Sequence, residues 1–532
     1  MGILINWQTT LECVVIALYF AAMLSLAAFK PAGILQSSGY SCKKLMGWAG
    51  KKGNLTFTRQ SLLSFCCLLS CAVISLCFTF AGKYACLAGL SGYVILFSVY
   101  LVADRKKALR VPATKTPRFT RLYVVLTLVF AIISYLFVTV INFVDYIWGN
   151  QIFNIIKYGL LAALPLLIFP LLCLSNLICK IYEIPHNSKY VKKATRKLKN
   201  SPIKIAAITG SFGKTSVKQI LSHILSHKYK VLSTPRSHNT PLGVSLTINN
   251  AELENYDVFV VEMGARHVGD VAELCRICPP DISIITGICG QHLETFKTLE
   301  GVISAKGEIL TATKDTAFIA QDCFSNFENY PVDKVMCAAP SDTVSGPDGT
   351  SFTLILGEDK VEVKCPLLGK HSAQNIALAA SVAYKLGMSA EEISCACATL
   401  QPVEHRLQLI KSGDVNIIDD GYNSNVLGAR AAIEVLKSFQ GRKICVTPGL
   451  VELGVLEESE NYALGEELAG LDFVILVGET LIQPVKRGYL SAGGNEEKVV
   501  VLPNLNAAQD KLKGLLQAGD TVLFLNDLPD IY

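Results

Sequence analysis

Ile203-Lys-Ile-Ala-Ala-Ile-Thr-Gly-Ser-Phe-Gly-Lys-Thr-Ser216 is the stretch on which the reading of this chain turns. Ile203–Thr209 is an apolar run of strand length, Gly210–Ser216 a glycine-rich turn, and Val217–His227 an amphipathic helix. A strand, such a turn and a helix amino terminus make an anion site, because unpaired backbone N–H groups and the helix dipole point at the same spot. Gly210, Ser211, Gly213, Lys214, Thr215 and Ser216 are therefore expected to cradle phosphate, with Lys214 on the outer phosphates and the Thr215 hydroxyl on Mg²⁺. Ile208 falls where the first glycine of the full eight-residue loop would be, so the shorter TGxxGKT[ST] form is the one met. The competing reading is a chance glycine-rich turn.

Downstream, strands and helices keep alternating. Strands are expected at Asp257–Val261, Ile282–Ile288, Val415–Ile418, Lys443–Thr447, Phe473–Val477, Lys498–Leu502 and Thr521–Leu525, which argues for α/β architecture on parallel sheets. Asp333–Glu362, with Pro340, Gly346, Pro347 and Gly349, reads as turns and short strands.

Upstream the chemistry changes. The chain has 532 residues, 51% hydrophobic and only 17% charged. Residues 1–200 hold 22 Lys and Arg against 4 Asp and Glu, while the remainder holds 27 against 40. A basic apolar part followed by an acidic part reads as a membrane module joined to a water-facing one, and the acidic part argues against nucleic-acid binding. Five apolar stretches, roughly 11–29, 61–82, 84–102, 122–144 and 158–179, are each long enough to cross a bilayer as a helix. Lys and Arg crowd the loops after the first, third and fifth, so the positive-inside rule puts the amino terminus outside and residues 180–532 in the cytoplasm of a multi-pass protein. The basic run 180–199 is read as an interfacial anchor on membrane lipids, or as a grip on an anionic lipid-linked substrate. The 18 cysteines include one CxxC, Cys275 to Cys278, without a second pair, and are read as reduced. The expected division is 1–182 membrane module, 183–201 basic linker, 202–401 ATPase domain and 402–532 ligand domain.

Beyond the phosphate loop come Asn239-Thr-Pro-Leu-Gly243, Val261-Glu-Met-Gly-Ala265, His292-Leu-Glu-Thr-Phe296, Ala305-Lys-Gly-Glu-Ile309, Gly369-Lys-His-Ser-Ala-Gln-Asn375, His405-Arg406 and Asp419-Asp-Gly-Tyr-Asn-Ser-Asn425. In this order they resemble the motifs of the Mur ligases of cell-wall synthesis, over about residues 202–525. The resemblance implies a central ATPase domain, a Rossmann-like carboxy-terminal domain, and ATP-dependent amide formation through an acyl phosphate. The substrates it implies are a carboxylate-bearing cell-wall precursor, nucleotide- or lipid-linked, and an amine such as an amino acid or D-alanyl-D-alanine.

Bringing a carboxylate against a triphosphate needs cations between them, which suits two Mg²⁺ ions and a lysine. Glu262, ending a strand, is the candidate shared metal ligand, with a buried salt bridge as the alternative. By resemblance His292 binds the second metal; on its own it would read as a core histidine. Lys306 cannot ligate Mg²⁺ as an ammonium, but the matching lysine in several family members is carbamylated by CO₂. The alternative for Lys306 is direct pairing with phosphate. Asn239 and Thr240 are placed near the γ-phosphate, or simply in a turn; His371 and Asn375, four apart on one helix face, near adenine, or in a cap. Arg406 would stabilise phosphate charge, and Asp420, Tyr422 and Asn423 would lie near nucleotide and amine.

The family's UDP-gripping amino-terminal domain has no counterpart, and Thr447-Pro-Gly-Leu-Val-Glu-Leu-Gly454 alters the start of a family motif. Two other functions therefore compete: a ligase building another amide polymer such as poly-γ-glutamate, and a non-catalytic membrane nucleotide sensor or scaffold.

Overall fold

The computed structural model describes residues 7–50, 113–148, 167–236, 238–290, 293–337, 339–422, 425–451, 453–478 and 481–526. The described residues separate into two compact units, those up to 186 and those from 187 onward.

The first unit is helical among its described residues. Helices Trp7–Ser37 and Pro117–Trp148 pack with the first part of helix Ile168–Lys199. Ala28, Ala32 and Leu35 meet Leu122, Leu126 and Phe130 in one buried cluster. Leu128, Ile132, Leu136 and Val140 repeat every fourth residue and are more than half exposed, an outward apolar stripe of the kind that faces lipid rather than water. Ala17–Ser37, Pro117–Val140 and Ile168–Lys199 are long and apolar enough to cross a membrane. The expected spans 11–29 and 122–144 overlap the first two of these; the span 158–179 begins before the described part of the third, and 61–82 and 84–102 lie outside the described residues. Glu183, 4% exposed, pairs with Arg118 at 3.0 Å and Arg121 at 3.5 Å.

The basic stretch expected as a linker, 183–201, is helical as far as Lys199, as the last part of Ile168–Lys199. Its lysines and arginine favour helix, and Val191, Ala194 and Leu198, spaced three and four apart, turn one face into the core of the second unit. Lys197 donates to the Ala251 carbonyl and Tyr190 accepts from Asn249 at 3.1 Å, so the end of helix Pro241–Asn250 is held there.

The second unit opens with a six-stranded parallel sheet in the order β2-β3-β1-β4-β5-β6, with β1 Lys204–Thr209, β2 Val231–Ser233, β3 Val258–Glu262, β4 Ile282–Ile285, β5 Thr316–Ala320 and β6 Asp333–Cys337. β1 shows why it is apolar throughout. Ala206 and Ile208 face helices Lys214–Ser226 and Lys370–Lys385, while Ile205 and Ala207 face helices Pro241–Asn250 and Asp270–Ile277. A strand covered on both sides needs a continuous apolar run, not an alternating one. The stretch read as turns and short strands forms a three-stranded antiparallel sheet, β7 Ser341–Gly346, β8 Gly349–Leu356 and β9 Asp359–Cys365.

A second six-stranded sheet follows, ordered β10-β11-β15-β12-β13-β14. Its strands are β10 Gln408–Ser412, β11 Val415–Asp420, β12 Lys443–Thr447, β13 Phe473–Val477, β14 Val499–Leu502 and β15 Thr521–Leu525, antiparallel only at β10–β11. Cys275 and Cys278 are buried free thiols, and among the described residues no group of three His, Cys, Asp or Glu could hold a metal.

Candidate active site

β1 lies between β3 and β4, where the winding of the first sheet reverses. A crevice opens at the carboxyl ends of strands at such a point. All three strand ends there carry chemistry: the phosphate loop after β1, Glu262 at the end of β3, and Thr286-Gly287 after β4.

The loop is built for close approach. Gly213 has φ +76 and caps helix Lys214–Ser226 without a side-chain hydrogen bond, leaving the first N–H groups free of side-chain caps. A Cβ on Gly213 would lie 2.8 Å from Asn375 Oδ1, and one on Gly210 2.1 Å from Thr286 Oγ1. Thr286 donates to the Phe212 carbonyl, and Gly287 accepts from the Ser211 N–H at 2.8 Å, so the β4 end braces the loop. Lys214 folds back, donating to the Gly210 carbonyl at 2.7 Å and the Ser211 carbonyl at 3.2 Å. Burial pushes its ammonium down; Glu262 opposes this and Arg406 adds to it.

Glu262 is 1% exposed and fully engaged. Its Oε2 accepts from the Thr215 hydroxyl at 2.9 Å and lies 3.2 Å from Lys218 Nζ; its Oε1 accepts from the Asn239 amide at 2.9 Å. The buried salt bridge named as the alternative for Glu262 is thus present, with Lys218 as its partner. Asn239 also packs on Gly264, where a Cβ would come within 2.8 Å. Thr240 caps helix Pro241–Asn250 by accepting from the Gly243 N–H at 3.3 Å.

Lys306, 3% exposed on helix Leu299–Ala312, lines the same cavity of about 530 Å³ as Lys214, Thr215, Ser216, Asn239, Thr240 and Glu262. Burial, then the Lys214 charge, push its amine down to about 7. Its Nζ lies 5.9 Å from the centre of the Phe296 ring.

A second cavity, of about 330 Å³, adjoins through Gly213 and Ser216 and is largely apolar, with Ile220, Leu367, Leu378 and Leu407 in its wall. His371 and Asn375 line it together, as their spacing implied, and burial pushes His371 down to about 4, which keeps it neutral at physiological pH. The carboxy-terminal domain closes this cavity with Arg406, Asp420 and Asn425. Arg406 reaches both cavities, with its guanidinium 4.7 Å from the Tyr422 ring centre. Asp420, the last residue of β11, which runs two residues past the expected strand Val415–Ile418, accepts from the Leu407 N–H at 3.2 Å. His292 and Asn423 lie outside the described residues.

The residues of the amino-terminal motifs thus meet those of the carboxy-terminal ones around one pair of cavities. The Mur ligase middle domain family matches residues 208–383, and the Mur ligase glutamate ligase domain family matches 405–526. The chain belongs to the Mur ligase family. Over 295 residues it is 32% identical to the UDP-N-acetylmuramoyl-tripeptide–D-alanyl-D-alanine ligase of Escherichia coli K12, covering 52% of this chain and 65% of that one. It is 30% identical to the Bacillus subtilis enzyme of the same name, covering 49% and 59%. The chain thus spans less than two thirds of the length of these curated relatives. A MurF structure from Acinetobacter baumannii superposes with a TM-score of 0.59 at 26% identity, covering 65% of this chain and 78% of that one. One from Thermotoga maritima, solved with ADP, gives 0.58 at 27% identity, with 65% and 81% covered.

Three contributors to this Mur ligase site escape the sequence reading. Lys218 is not singled out by the amphipathic pattern of Val217–His227, although it stands one turn beyond Lys214. Thr286 and Gly287 were read as strand, since the expected Ile282–Ile288 overran β4 by three residues.

Proposed function

We propose that this Mur ligase is a membrane-associated, ADP-forming amide ligase. Its substrates would be ATP, a carboxylate-bearing peptidoglycan precursor and an amine, with D-alanyl-D-alanine, named in its relatives, as the first amine to test. The observation that carries the reading is Glu262, buried and held by Thr215 and Asn239 beneath a loop whose glycines leave no room for a Cβ.

In this reading adenine enters the apolar cavity beside neutral His371 and Asn375, and the phosphates lie on Gly210–Ser216. Thr215 and Glu262 offer the oxygen set that Mg²⁺ prefers, so the residues fit the metal. When bound it would spread the charge of the phosphates that a carboxylate must approach. Lys306, with His292, is assigned to a second Mg²⁺. An amine pushed down to about 7 is substantially unprotonated at neutral pH, the form that reacts with CO₂, which supports a carbamate on Lys306.

The acceptor carboxylate attacks the γ-phosphate, giving an acyl phosphate and ADP. The amine attacks the acyl carbon, phosphate leaves, and the amine proton passes to solvent or phosphate. Arg406 and Tyr422, arriving from the carboxy-terminal domain, cover the phosphate cavity and limit hydrolysis of the acyl phosphate. The three long apolar helices, the outward stripe on Pro117–Trp148 and the basic loops support a multi-pass anchor with the ligase domains on the cytoplasmic side. That placement favours a precursor met at the membrane, lipid-linked or nucleotide-linked.

The test is ADP release by the detergent-purified full chain. Turnover requiring both a muramoyl-tripeptide acceptor and D-alanyl-D-alanine, and lost in Lys214→Ala, is expected. Turnover only with glutamate polymers would replace this substrate assignment. Tight ATP binding with no turnover across acceptors and amines would make the protein a nucleotide sensor.

A further inference from the structure

Lys218 is a lysine with 2% exposure, and nothing in the reaction as described above uses it. Its ammonium lies 3.2 Å from Glu262 Oε2 and also donates to the Arg236 carbonyl. It therefore joins three elements: the helix that follows the phosphate loop, the end of β3, and the segment between β2 and helix Pro241–Asn250 that carries Asn239 and Thr240. Arg236 sits at φ +47, a left-handed conformation that a non-glycine residue holds only when its surroundings impose it. Its carbonyl is turned to the buried ammonium. Asn239, three residues on, closes the loop by donating to the other oxygen of the same carboxylate at 2.9 Å.

We propose that Lys218 is a positioning residue for the nucleotide-bound metal. It fixes the rotamer of Glu262 and, through Arg236, the approach of Asn239, so that Glu262 and the Thr215 hydroxyl are presented together. The inference rests on the ligase reading only in assuming that Mg²⁺ and ATP bind at this loop. Glu262 lies too deep for water to supply its counter-charge, and a carboxylate carrying one internal cation is oriented before any metal arrives. Loss of a residue that orients a metal ligand from behind typically costs about 10–100-fold in metal affinity or activity. A simple electrostatic role predicts the reverse, because removing a cation beside a metal site should tighten the metal.

The experiment measures ATP binding to the detergent-purified full chain by calorimetry, once in excess EDTA and then across a Mg²⁺ titration. Lys218→Met is expected to leave the affinity in EDTA unchanged and to raise the Mg²⁺ concentration needed for half of the metal-dependent gain by about 10–100-fold. Because removal of one partner of a buried pair can unfold a protein, the same pair of measurements is made on Glu262→Gln with and without Lys218→Met. If Lys218 acts through Glu262, the second substitution leaves the Mg²⁺ response of Glu262→Gln unchanged. A further loss in that background, or an unchanged or tightened Mg²⁺ response in Lys218→Met, overturns the proposal. Wild-type protein that binds no Mg–ATP overturns the ligase reading and this inference with it.

Discussion

Two lysines stand at the phosphate cavity with nearly the same burial, Lys218 behind Glu262 at 2% exposure and Lys306 in the cavity lining at 3%, and their surroundings differ. Behind Glu262, Lys218 has a carboxylate at 3.2 Å and a backbone carbonyl; burial pushes its ammonium down and Glu262 pulls it back up. On the wall, Lys306 has no carboxylate within salt-bridge reach among the described residues, an aromatic ring at 5.9 Å, and the Lys214 charge acting with burial, which brings it down to about 7. The first lysine is a fixed cation. The second is the amine proposed above to carry a carbamate. Desolvation is common to both, so the difference comes from what the fold sets beside each.

The largest effect expected from breaking this contrast is on turnover. Lys306→Ala should lower ADP release by about 100-fold or more, on the scale of removing one group that stabilises developing charge. Millimolar acetate or formate should restore part of it by standing in for a carbamate. Equal rescue of Lys218→Met by the same acids would erase the distinction, as would full activity of Lys306→Ala in CO₂-free buffer. Next in size is stability. Lys218→Met leaves Glu262 buried without its partner and should cost about 3–5 kcal/mol in urea unfolding. Lys306→Met removes a cation that burial disfavours and should cost less than about 1.5 kcal/mol or stabilise.

Stability should also carry the signature of Lys306 in its pH dependence. The folded value near 7 lies below the ordinary 10.5, so between these pH values the unfolded chain holds one more proton at this site. Stability then rises with pH, by up to about 1.4 kcal/mol per unit, and this contribution is flat below about 7 where both states are protonated. Lys306→Met should remove that slope in CO₂-free buffer. A slope unchanged by the substitution would place the titration elsewhere.

How much of this was legible in the sequence follows the range of the forces involved. The strand, glycine turn and helix were readable because β1 needs apolar residues on both faces and the loop needs Gly213 at positive φ; both demands are local. The order of the motifs placed Glu262, Lys306, His371 and Arg406 in one family pattern, and the described residues bring these four around two adjoining cavities. Lys218 was missed because a lysine on a helix is usually solvated, and its partner Glu262 is 44 positions away across the sheet. The helical state of the expected linker 183–201 was not legible because its charge hides the face formed by Val191, Ala194 and Leu198, whose partners come from the core of the following sheet. Short-range patterns report elements, whereas a buried charge is intelligible only once the opposite wall is known.

The smallest prediction isolates burial from pairing. Lys370 on helix Lys370–Lys385 and Glu434 on helix Val426–Ser438 form an ion pair at 2.9 Å, shorter than that of Lys218, but both side chains are more than 60% exposed. Water screens such a pair and the two side chains lose rotamer freedom in making it, so Lys370→Met should cost less than about 1 kcal/mol. Whatever loss there is should shrink further in high salt. The Lys218 effect should persist there, because ions do not reach a side chain with 2% exposure. Comparable losses from Lys370→Met and Lys218→Met, or equal salt sensitivity of the two, would mean that proximity of opposite charges governs both sites. The contrast between the two buried lysines would then lose its physical basis.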